Sequence, residues 1–412
     1  MDRGNLPLPK GERGRPAVAP MTLSPRRAVA AVFAAFGVCA GVWSGASAAI
    51  VARVGISASA FGLALTVMTV LYLIAMSGAG ALAARIGVRR SMLSALVAIG
   101  PALALLVAAR SGLWLGAALA VYGALAGLLD STMNAEGARV EQDGGKPIFV
   151  QFHAIASATT AFSAPVGGWL AYQGYAWAAA FLAQAALIFA ALAVAGAIVE
   201  RPPDASRLKG KPSLKAIDLA LAVLGLAVGV SIVCETAALA WSALLLRKTA
   251  PTLAAYAGLG AAFFAGCQSA MRFQIDRLRH VLDDRALMLG SFAVASLGLL
   301  LVAGDLGFAA SAGGFALLGA GTAAIVPCGF SLAARRPGLS AGAAISAVSF
   351  FGLFPRAPAP LVTGLIADAF SLSAAFFALS AALAVALAGV AFFVPSARSA
   401  FKKPLVSGGM AE

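Results

Sequence analysis

Four ionisable residues lie inside strongly apolar segments of the chain: Asp130, His153, Glu235 and Arg356. A charged side chain is costly inside a membrane, so each of these residues needs a partner, water or a function. Carboxylates and an imidazole can bind and release protons, and an arginine can hold an anionic group through two parallel hydrogen bonds. These residue types therefore indicate solute binding or proton transfer within membrane helices.

Glu235 and Arg356 lie near mid-depth of two predicted membrane spans. We predict that they approach each other, and that substrate or protonation of Glu235 breaks their pairing. The alternative is a static ion pair that holds the two helices together. Arg356 stands in the segment FPRAPAP, whose three prolines break or kink a helix and free backbone carbonyls. Such broken helices often line transporter cavities, where Arg356 would bind an anionic group or only the freed carbonyls.

Four other residues are candidates for substrate binding or coupling: His153, Asn134, Trp43 and Trp241. His153 lies early in its predicted span, where it either titrates near neutral pH or hydrogen-bonds the preceding loop, which contains Asn134. The two tryptophans either line a cavity or pack as ordinary membrane aromatics.

A gate is predicted near the end of the span that contains Asp130. We expect Asp130 to pair with Arg85 or Arg89 and to hold one side of the protein shut, with substrate contact as the alternative. Asp276 and Arg277, in a corresponding loop of the second half of the chain, are further gating candidates.

The composition shows which elements must position these residues. Of the 412 residues 61% are hydrophobic and 11% charged, and the mean hydropathy is +0.92. These values exclude an ordinary soluble enzyme, a disordered chain and a disulfide scaffold. Twelve apolar segments are each long enough to span a membrane. They are 28–49, 59–83, 91–109, 113–133, 148–171, 177–199, 218–244, 253–271, 286–304, 306–332, 341–367 and 373–394.

The cationic residues indicate how these spans are oriented. Of the 30 Lys and Arg residues, 25 fall in the two tails and the loops of one side, four in the opposite loops, and Arg356 within a span. Cytoplasmic loops carry the excess of Lys and Arg, so both termini are predicted to be cytoplasmic. The net charge of +14 therefore reflects topology rather than a nucleic-acid partner.

Catalytic and metal-binding signatures are absent from the sequence. Each cysteine lies in an apolar run, and there is no C-x-x-C pair, zinc spacing, P-loop or Ser/His/Asp triad. The dinucleotide-like segment GAGTAA at 319–324 lies in a predicted span, where small residues favour helix packing. We therefore expect no cofactor, no metal and no enzymatic activity.

An internal repeat divides the chain into two halves. Cys39 and Arg53 correspond to Cys234 and Lys248 at an offset of 195 residues, and APVGGWLA at 164–171 parallels APLVTGLIA at 359–367. A cleavable signal peptide was the alternative for the first span, but the repeat gives that span a partner in the second half. The predicted division is a tail at 1–27, a six-helix bundle at 28–199, a linker at 200–216, a second bundle at 217–394 and a tail at 395–412.

Two parallel six-helix repeats resemble the plan of the major facilitator superfamily. The segment GALAARIGVRR at 80–90 is similar to the signature G-x-L-x-D-R-x-G-R-[RK] of that superfamily, with Ala84 in place of the acid. The later loop keeps Asp276-Arg277. The resemblance implies an all-α membrane protein with twelve transmembrane helices in two pseudo-twofold bundles, which transports by alternating access.

Several segments resemble more narrowly a bacterial subfamily related to fucose permease-like transporters. That subfamily tends to have an Asn-Ala pair like that at Asn134, a histidine like His153, and an acid followed by Trp-Ser, as at Glu235 and Trp241. Thr236 and Ala240 depart from its pattern. The segments are LLDSTMNAEGARVE (128–141), FHAIAS (152–157), CETAALAWSALLLR (234–247), MRFQIDRL (271–278), VPCGFSLAARRPG (326–338) and PLVTGLIAD (360–368).

These observations predict a monomeric secondary transporter of a bacterial inner membrane, whose partners are a small polar solute and membrane lipids. Two further hypotheses concern the solute and its transport. Arg356 suggests that the solute is anionic, and Glu235 suggests that transport is coupled to protons. One alternative is an exporter of amphipathic compounds, because the Ala/Gly/Phe-rich spans offer few polar groups. Another is a transport-inactive sensor on the same scaffold.

Overall fold

The computed structural model describes residues 23–145, 147–200 and 218–395, and this part of the chain folds into helices. A short 3₁₀ helix, Pro251–Tyr256, lies between the seventh and eighth α-helices. The α-helices are α1 Pro25–Val54, α2 Ala58–Ile86, α3 Val88–Ala108, α4 Gly112–Gly144, α5 Phe149–Tyr172, α6 Ala176–Ala197, α7 Leu219–Thr249, α8 Leu259–Arg272, α9 Ile275–Val281, α10 Asp284–Ala303, α11 Phe308–Thr322, α12 Ile325–Ala334, α13 Ala341–Arg356, α14 Ala359–Ala369 and α15 Leu372–Phe393.

Short polar side chains and glycines set where the helices begin and end. The Ser57 hydroxyl accepts the Ala60 N–H at 3.1 Å in the first turn of α2, and the Asp283 carboxylate accepts the Ala286 N–H at 2.8 Å in that of α10. Such caps satisfy N–H groups that have no partner within the helix. Gly55 ends α1 in the left-handed region at φ 72°, which glycine adopts without steric cost.

Within the described residues, ten helices or contiguous helix pairs are long and apolar enough to cross a membrane. Two of the ten are the pairs α11–α12 and α13–α14. The predicted break at the FPRAPAP segment is confirmed, since α13 ends at Arg356 and α14 begins at Ala359. The break between α11 and α12 was not predicted. Helices α5 and α8 are the other two segments predicted as spans.

The two halves use the same pattern of helix packing. In the first half α1 packs on α5 and α6, α2 on α4, and α3 on α4 and α6. In the second half α7 packs on α13 and α15, α8 on α11, and α10 on α11 and α15. These are equivalent pairs when α7 is matched to α1, as the repeat predicts. The all-α fold class is confirmed.

The helices end on two opposite sides of the protein, which we call the terminal side and the distal side. The terminal side carries the start of α1, the end of α15 and the short helix α9; the distal side carries the α1–α2 and α7–α8 connections. The predicted linker 200–216 lies outside the described residues except for Glu200. Of the predicted tails 1–27 and 395–412, only residues 23–27 and 395 belong to the described residues. The domain boundaries therefore stay predictions.

Candidate functional site

A cavity of about 340 Å³ lies between the two halves. Helices α1, α2, α4 and α5 form one wall, and α7, α8 and α13 form the other. Five aromatic and four charged residues are among those that line the walls. The aromatic residues are Phe36, Trp43, Tyr72, Tyr122 and Phe264, and the charged ones are Asp130, Glu235, Arg272 and Arg356.

Asp130 is the charged group of the first half. The Tyr72 hydroxyl of α2 donates to its Oδ2 at 2.7 Å, and the Asn134 amide donates to its Oδ1 at 3.0 Å. The same amide donates to the Asp130 carbonyl at 2.8 Å, because residues four apart lie on one face of α4. Two neutral donors thus orient the carboxylate, which still has lone pairs for a further donor.

The predicted pairing of Asp130 with Arg85 or Arg89 is wrong. Helix α4 continues to Gly144, well beyond the predicted end of its span, so Asp130 lies about 21 Å along the helix from that end. Arg89 donates instead to the Ala195 carbonyl at 2.8 Å, and Arg85 is exposed. Asp130 therefore lies in the cavity rather than at a gate on the terminal side.

Glu235 anchors a polar network that connects the halves. The Gln268 amide donates to its Oε2 at 2.7 Å, and the Arg272 guanidinium pairs with the same oxygen at 3.6 Å. Arg272 also donates to the Ser157 hydroxyl at 2.7 Å, and Ser157 donates to the Gln268 Oε1 at 3.1 Å. Glu235, Gln268 and Arg272 belong to the second half and Ser157 to the first, so the network crosses the interface between them. The second carboxylate oxygen, Oε1, is buried without a hydrogen bond, and Thr322 is a further acceptor for Gln268.

The predicted contact between Glu235 and Arg356 is also wrong. Glu235 pairs with Arg272, which sequence reasoning had placed in a loop because the predicted span 253–271 stopped one residue short of it. Arg356 lies on the wall of the same cavity at the end of α13. Within the described residues Arg356 forms no ion pair.

The other predicted site residues divide between the cavity and its surroundings. His153 lines the cavity and packs edge-on against Phe33 and Phe149, with ring centroids 5.1 Å apart in both pairs. Trp43 also lines the cavity. Trp241 is only 1% exposed and packs edge-on against Phe61, so it forms part of the core on the distal side rather than the cavity wall.

Asp276 and Arg277 lie on α9 at the terminal side, exposed and away from the cavity. Arg277 donates to Gln274 at 3.0 Å. The buried acid of this region is Asp284, the first residue of α10, which lies two residues before the predicted span 286–304. Asp284 pairs with Arg279 and Arg335 and thereby joins α9, α10 and α12. Its hydrogen bond raises the pKa of the Arg279 guanidinium.

On the distal side the two halves are in contact. The Asp368 carboxylate, next to the end of α14, accepts the N–H groups of Ala58 and Ser59 at 3.0 and 2.8 Å. It thus caps the first turn of α2 across the interface. Two turns deeper the Thr66 hydroxyl accepts the Leu361 N–H at 3.0 Å, an N–H near the break in the proline-rich helix.

Glycines allow two related helix crossings on this side. A Cβ added at Gly62 would collide with the Pro360 carbonyl, and one added at Gly258 would collide with the Ala164 carbonyl. Gly364 packs in the same way on the first turn of α2. The crossings join α2 to α14 and α5 to the start of α8, which are equivalent pairs in the repeat.

On the terminal side, by contrast, the cavity wall has a gap. Neither α2 nor α4 makes more than marginal contact with α12 or α13 within the described residues. The α5–α8 contact continues toward this side, where Ser269 donates to the Ala154 carbonyl at 2.8 Å. The halves therefore meet along α5 and α8 and separate between α2–α4 and α12–α13.

No group of His, Cys, Asp and Glu side chains in the described ranges is arranged to hold a metal ion. The four cysteines are free, and three of them are buried.

Known proteins share both the sequence family and the fold. A family model described as Major Facilitator Superfamily matches residues 28–352. The uncharacterized transporter y4wD of Sinorhizobium fredii is 29% identical over 372 residues, covering 89% of this chain and 98% of that protein. An uncharacterized MFS-type transporter of Yersinia pestis is 27% identical over 329 residues, covering 79% and 84%. A crystallised variant of the nucleoside transporter NupG superposes with a TM-score of 0.74 at 8% identity, over 90% of this chain and 100% of that one.

Proposed function

This chain belongs to the Major Facilitator Superfamily and is a membrane transporter rather than an enzyme, and we propose that it moves a small polar solute across a bacterial inner membrane by alternating access. The central cavity carries this proposal. Both halves line it, the halves meet on the distal side, and they separate on the terminal side. A rocking motion of the halves would close the terminal side and open the distal side around a bound solute.

The solute carries an anionic group that binds Arg356. This arginine lies on the cavity wall without an ion pair in the described residues, and a guanidinium in such a place gains from a bidentate partner. Burying it unpaired costs energy, which an anionic ligand would recover.

Glu235 couples transport to protons. Its carboxylate links α7 to Arg272, and Arg272 bridges to Ser157 in the other half. Protonation removes the negative charge that holds Arg272, which frees the guanidinium to change partners as the halves move. His153 lies beside this network, since its backbone carbonyl accepts a hydrogen bond from Arg272 at 3.5 Å.

The terminal side faces the cytoplasm, and the transporter acts as a monomer. The distribution of Lys and Arg supports this orientation, because cationic loops stay on the cytoplasmic side during insertion. Each half covers its interface with the other half, so a second copy is not needed to enclose the cavity.

An exporter of amphipathic compounds is the second candidate, favoured by the aromatic side chains of the cavity wall. Asp130 and Arg356 weigh against it, because they form no ion pair within the described residues and an apolar cargo would leave both charges desolvated without a partner. The existence of a solute-sized cavity likewise weighs against a transport-inactive sensor.

Reconstitution in liposomes tests the proposal. We expect pooled small metabolites to include a solute that accumulates when a pH gradient, alkaline inside, is imposed. Glu235→Gln should keep solute exchange at equal concentrations but lose accumulation, whereas Asp305→Asn, in an exposed distal loop, should behave as the wild type. Accumulation that is unaffected by Glu235→Gln would exclude proton coupling through this residue.

A further inference from the structure

We propose that the transported solute is a zwitterion whose anionic group binds Arg356 in the second half and whose cationic group binds Asp130 in the first half. This inference rests on the proposed function and narrows its substrate class. Two observations lead to the inference: some charged side chains of the cavity already pair with each other, and the remaining ones lie in opposite halves.

The four charged side chains of the cavity fall into two sets. Glu235 and Arg272 form an ion pair, so they balance each other. Asp130 and Arg356 have opposite charges and line the same cavity from opposite halves, yet no ion pair joins them within the described residues. One anionic and one cationic position therefore face each other across the space that a solute would occupy.

The surroundings of Asp130 suit an ammonium group. Its two hydrogen bonds come from the neutral groups of Tyr72 and Asn134, so the carboxylate keeps its charge uncompensated by a cation of its own half. The remaining lone pairs can accept from an ammonium, and the aromatic faces of Tyr72, Tyr122 and Trp43 can stabilise a cation beside them.

Charge balance favours a zwitterion over a simple ion. A solute with only an anionic group would satisfy Arg356 and leave the Asp130 carboxylate uncompensated in a cavity with apolar walls. A solute with only a cationic group would leave Arg356 in the same position. A zwitterion compensates both, and it leaves the Glu235–Arg272 pair free to respond to protons.

The size and lining of the cavity agree with a small amino acid or a similar compound. Its volume of about 340 Å³ is at the lower end of the range for small-molecule pockets. The aromatic and apolar walls between the two charged ends would contact the carbon skeleton of the solute. A molecule held at both ends also ties the halves together, which favours closure of the terminal side around it.

Uptake by the full chain in liposomes tests this proposal. Four pools of size-matched compounds are offered: amino acids and betaines, carboxylates without an amine, amines without a carboxylate, and uncharged polyols. The contents of the liposomes are then analysed by mass spectrometry. We expect uptake from the zwitterion pool. Uptake only from another pool would overturn the zwitterion proposal and leave polar-solute transport standing, and uptake from none would overturn both.

Variants then assign the two ends of the solute. For the zwitterion identified, Arg356→Gln and Asp130→Asn should each weaken apparent affinity by at least about tenfold, the loss expected for one charge-assisted hydrogen bond. Arg110→Gln and Asp305→Asn, in exposed distal loops, are the matched controls. The amine-free analogue should bind to Asp130→Asn no worse than to the wild type. The affinity difference between the zwitterion and this analogue should therefore be smaller in the variant. Equal losses for both compounds in that variant would overturn the assignment.

Discussion

At the scale of single residues, the position of Arg272 decides how Glu235 can act. Arg272 contacts Glu235 on α7 and Ser157 on α5, so it links the Glu235 carboxylate to the other half of the protein. Its neighbour Gln268, one turn earlier on α8, holds the same carboxylate oxygen. Substitutions at these positions should therefore have non-additive effects on stability.

The first prediction concerns this coupling. Arg272→Gln leaves the Glu235 carboxylate without its cation, and breaking a buried pair costs up to about 3–5 kcal/mol. We expect the variant to unfold at a temperature several degrees below the wild type. Adding Glu235→Gln should restore much of the loss, because the double variant contains no unpaired charge. Thermal unfolding of all three proteins in detergent measures the difference.

Two features make this prediction specific. Lower pH should narrow the gap between Arg272→Gln and the wild type, because protonation neutralises the orphaned carboxylate. Arg110→Gln removes a cation from an exposed loop and should leave the transition unchanged. Additive losses in the double variant would show that Glu235 and Arg272 are not coupled.

The sequence identified three of the four charged residues of the cavity and also Asn134, but it predicted none of the contacts that the charged residues make. Asp130, Glu235, Arg356 and His153 stand out because an ionisable group in an apolar run is rare. Arg272 did not stand out, because the predicted span 253–271 ends one residue before it. An arginine just outside a predicted span is interpreted as a loop residue. Gln268 carries no charge and gave no signal.

At the scale of helices, the distal closure depends on backbone contacts that only glycine permits. Gly62 of α2 meets the Pro360 carbonyl of α14, and Gly258 and Gly168 provide the equivalent contact between α8 and α5. Gly258 and Gly364 follow Gly62 and Gly168 by 196 residues each, so the two crossings derive from the same positions of the repeat.

The second prediction tests these crossings. Gly62→Ala places a methyl group against the Pro360 carbonyl, so we expect it to disfavour distal closure and populate a state in which the halves separate there. Spin labels at Arg110→Cys and Leu306→Cys, exposed on the distal side of different halves, report the distance between them. The native cysteines are replaced by alanine in this background.

Gly78→Ala is the matched control. Gly78 lies on the same helix, and a Cβ there meets nothing within 4 Å. A longer distance in Gly62→Ala but not in Gly78→Ala is expected. Identical distance distributions in both variants would show that the α2–α14 crossing does not limit distal opening.

The third prediction concerns Asp368. Its carboxylate accepts two N–H groups at the start of α2, where the helix dipole also favours a negative charge. Asp368→Asn keeps one acceptor oxygen and loses the charge, so the distal-open population should rise less than in Gly62→Ala. The same pair of spin labels measures it. Because exposed charges are screened, high salt should shift the wild type toward the variant and leave the variant unmoved.

How far the helices could be predicted depended on their ends. Apolar length located the spans, and the prolines at 355–360 located the break between α13 and α14. The extension of α4 to Gly144 was missed because its last turns are polar, and tertiary packing rather than hydropathy keeps them helical. The break between α11 and α12 follows a glycine-rich stretch, which hydropathy alone does not separate from a continuous helix.

At the scale of the whole molecule, positive charge and cavity charge serve different purposes. The net charge of +14 arises mainly from cations of the terminal side, whereas the charged side chains of the cavity balance one another. In the function that we propose, the first set orients the protein during insertion and the second set recognises the solute. The repeat explains why both halves line one cavity. Which residues contact one another across that cavity is given only by the packed structure.

The last prediction is the orientation of the chain in the membrane. Arg272 lies in the cavity, so 24 of the 30 Lys and Arg residues fall in the tails and loops of the terminal side, and that side should face the cytoplasm. A single cysteine introduced by Leu306→Cys, on the distal side, should react with a membrane-impermeant maleimide in intact cells from which the outer membrane has been removed. One introduced by Asp276→Cys, on α9, should react only after the inner membrane is permeabilised. The reverse pattern would invert the orientation, and it would make the gap between α2–α4 and α12–α13 an opening to the outside.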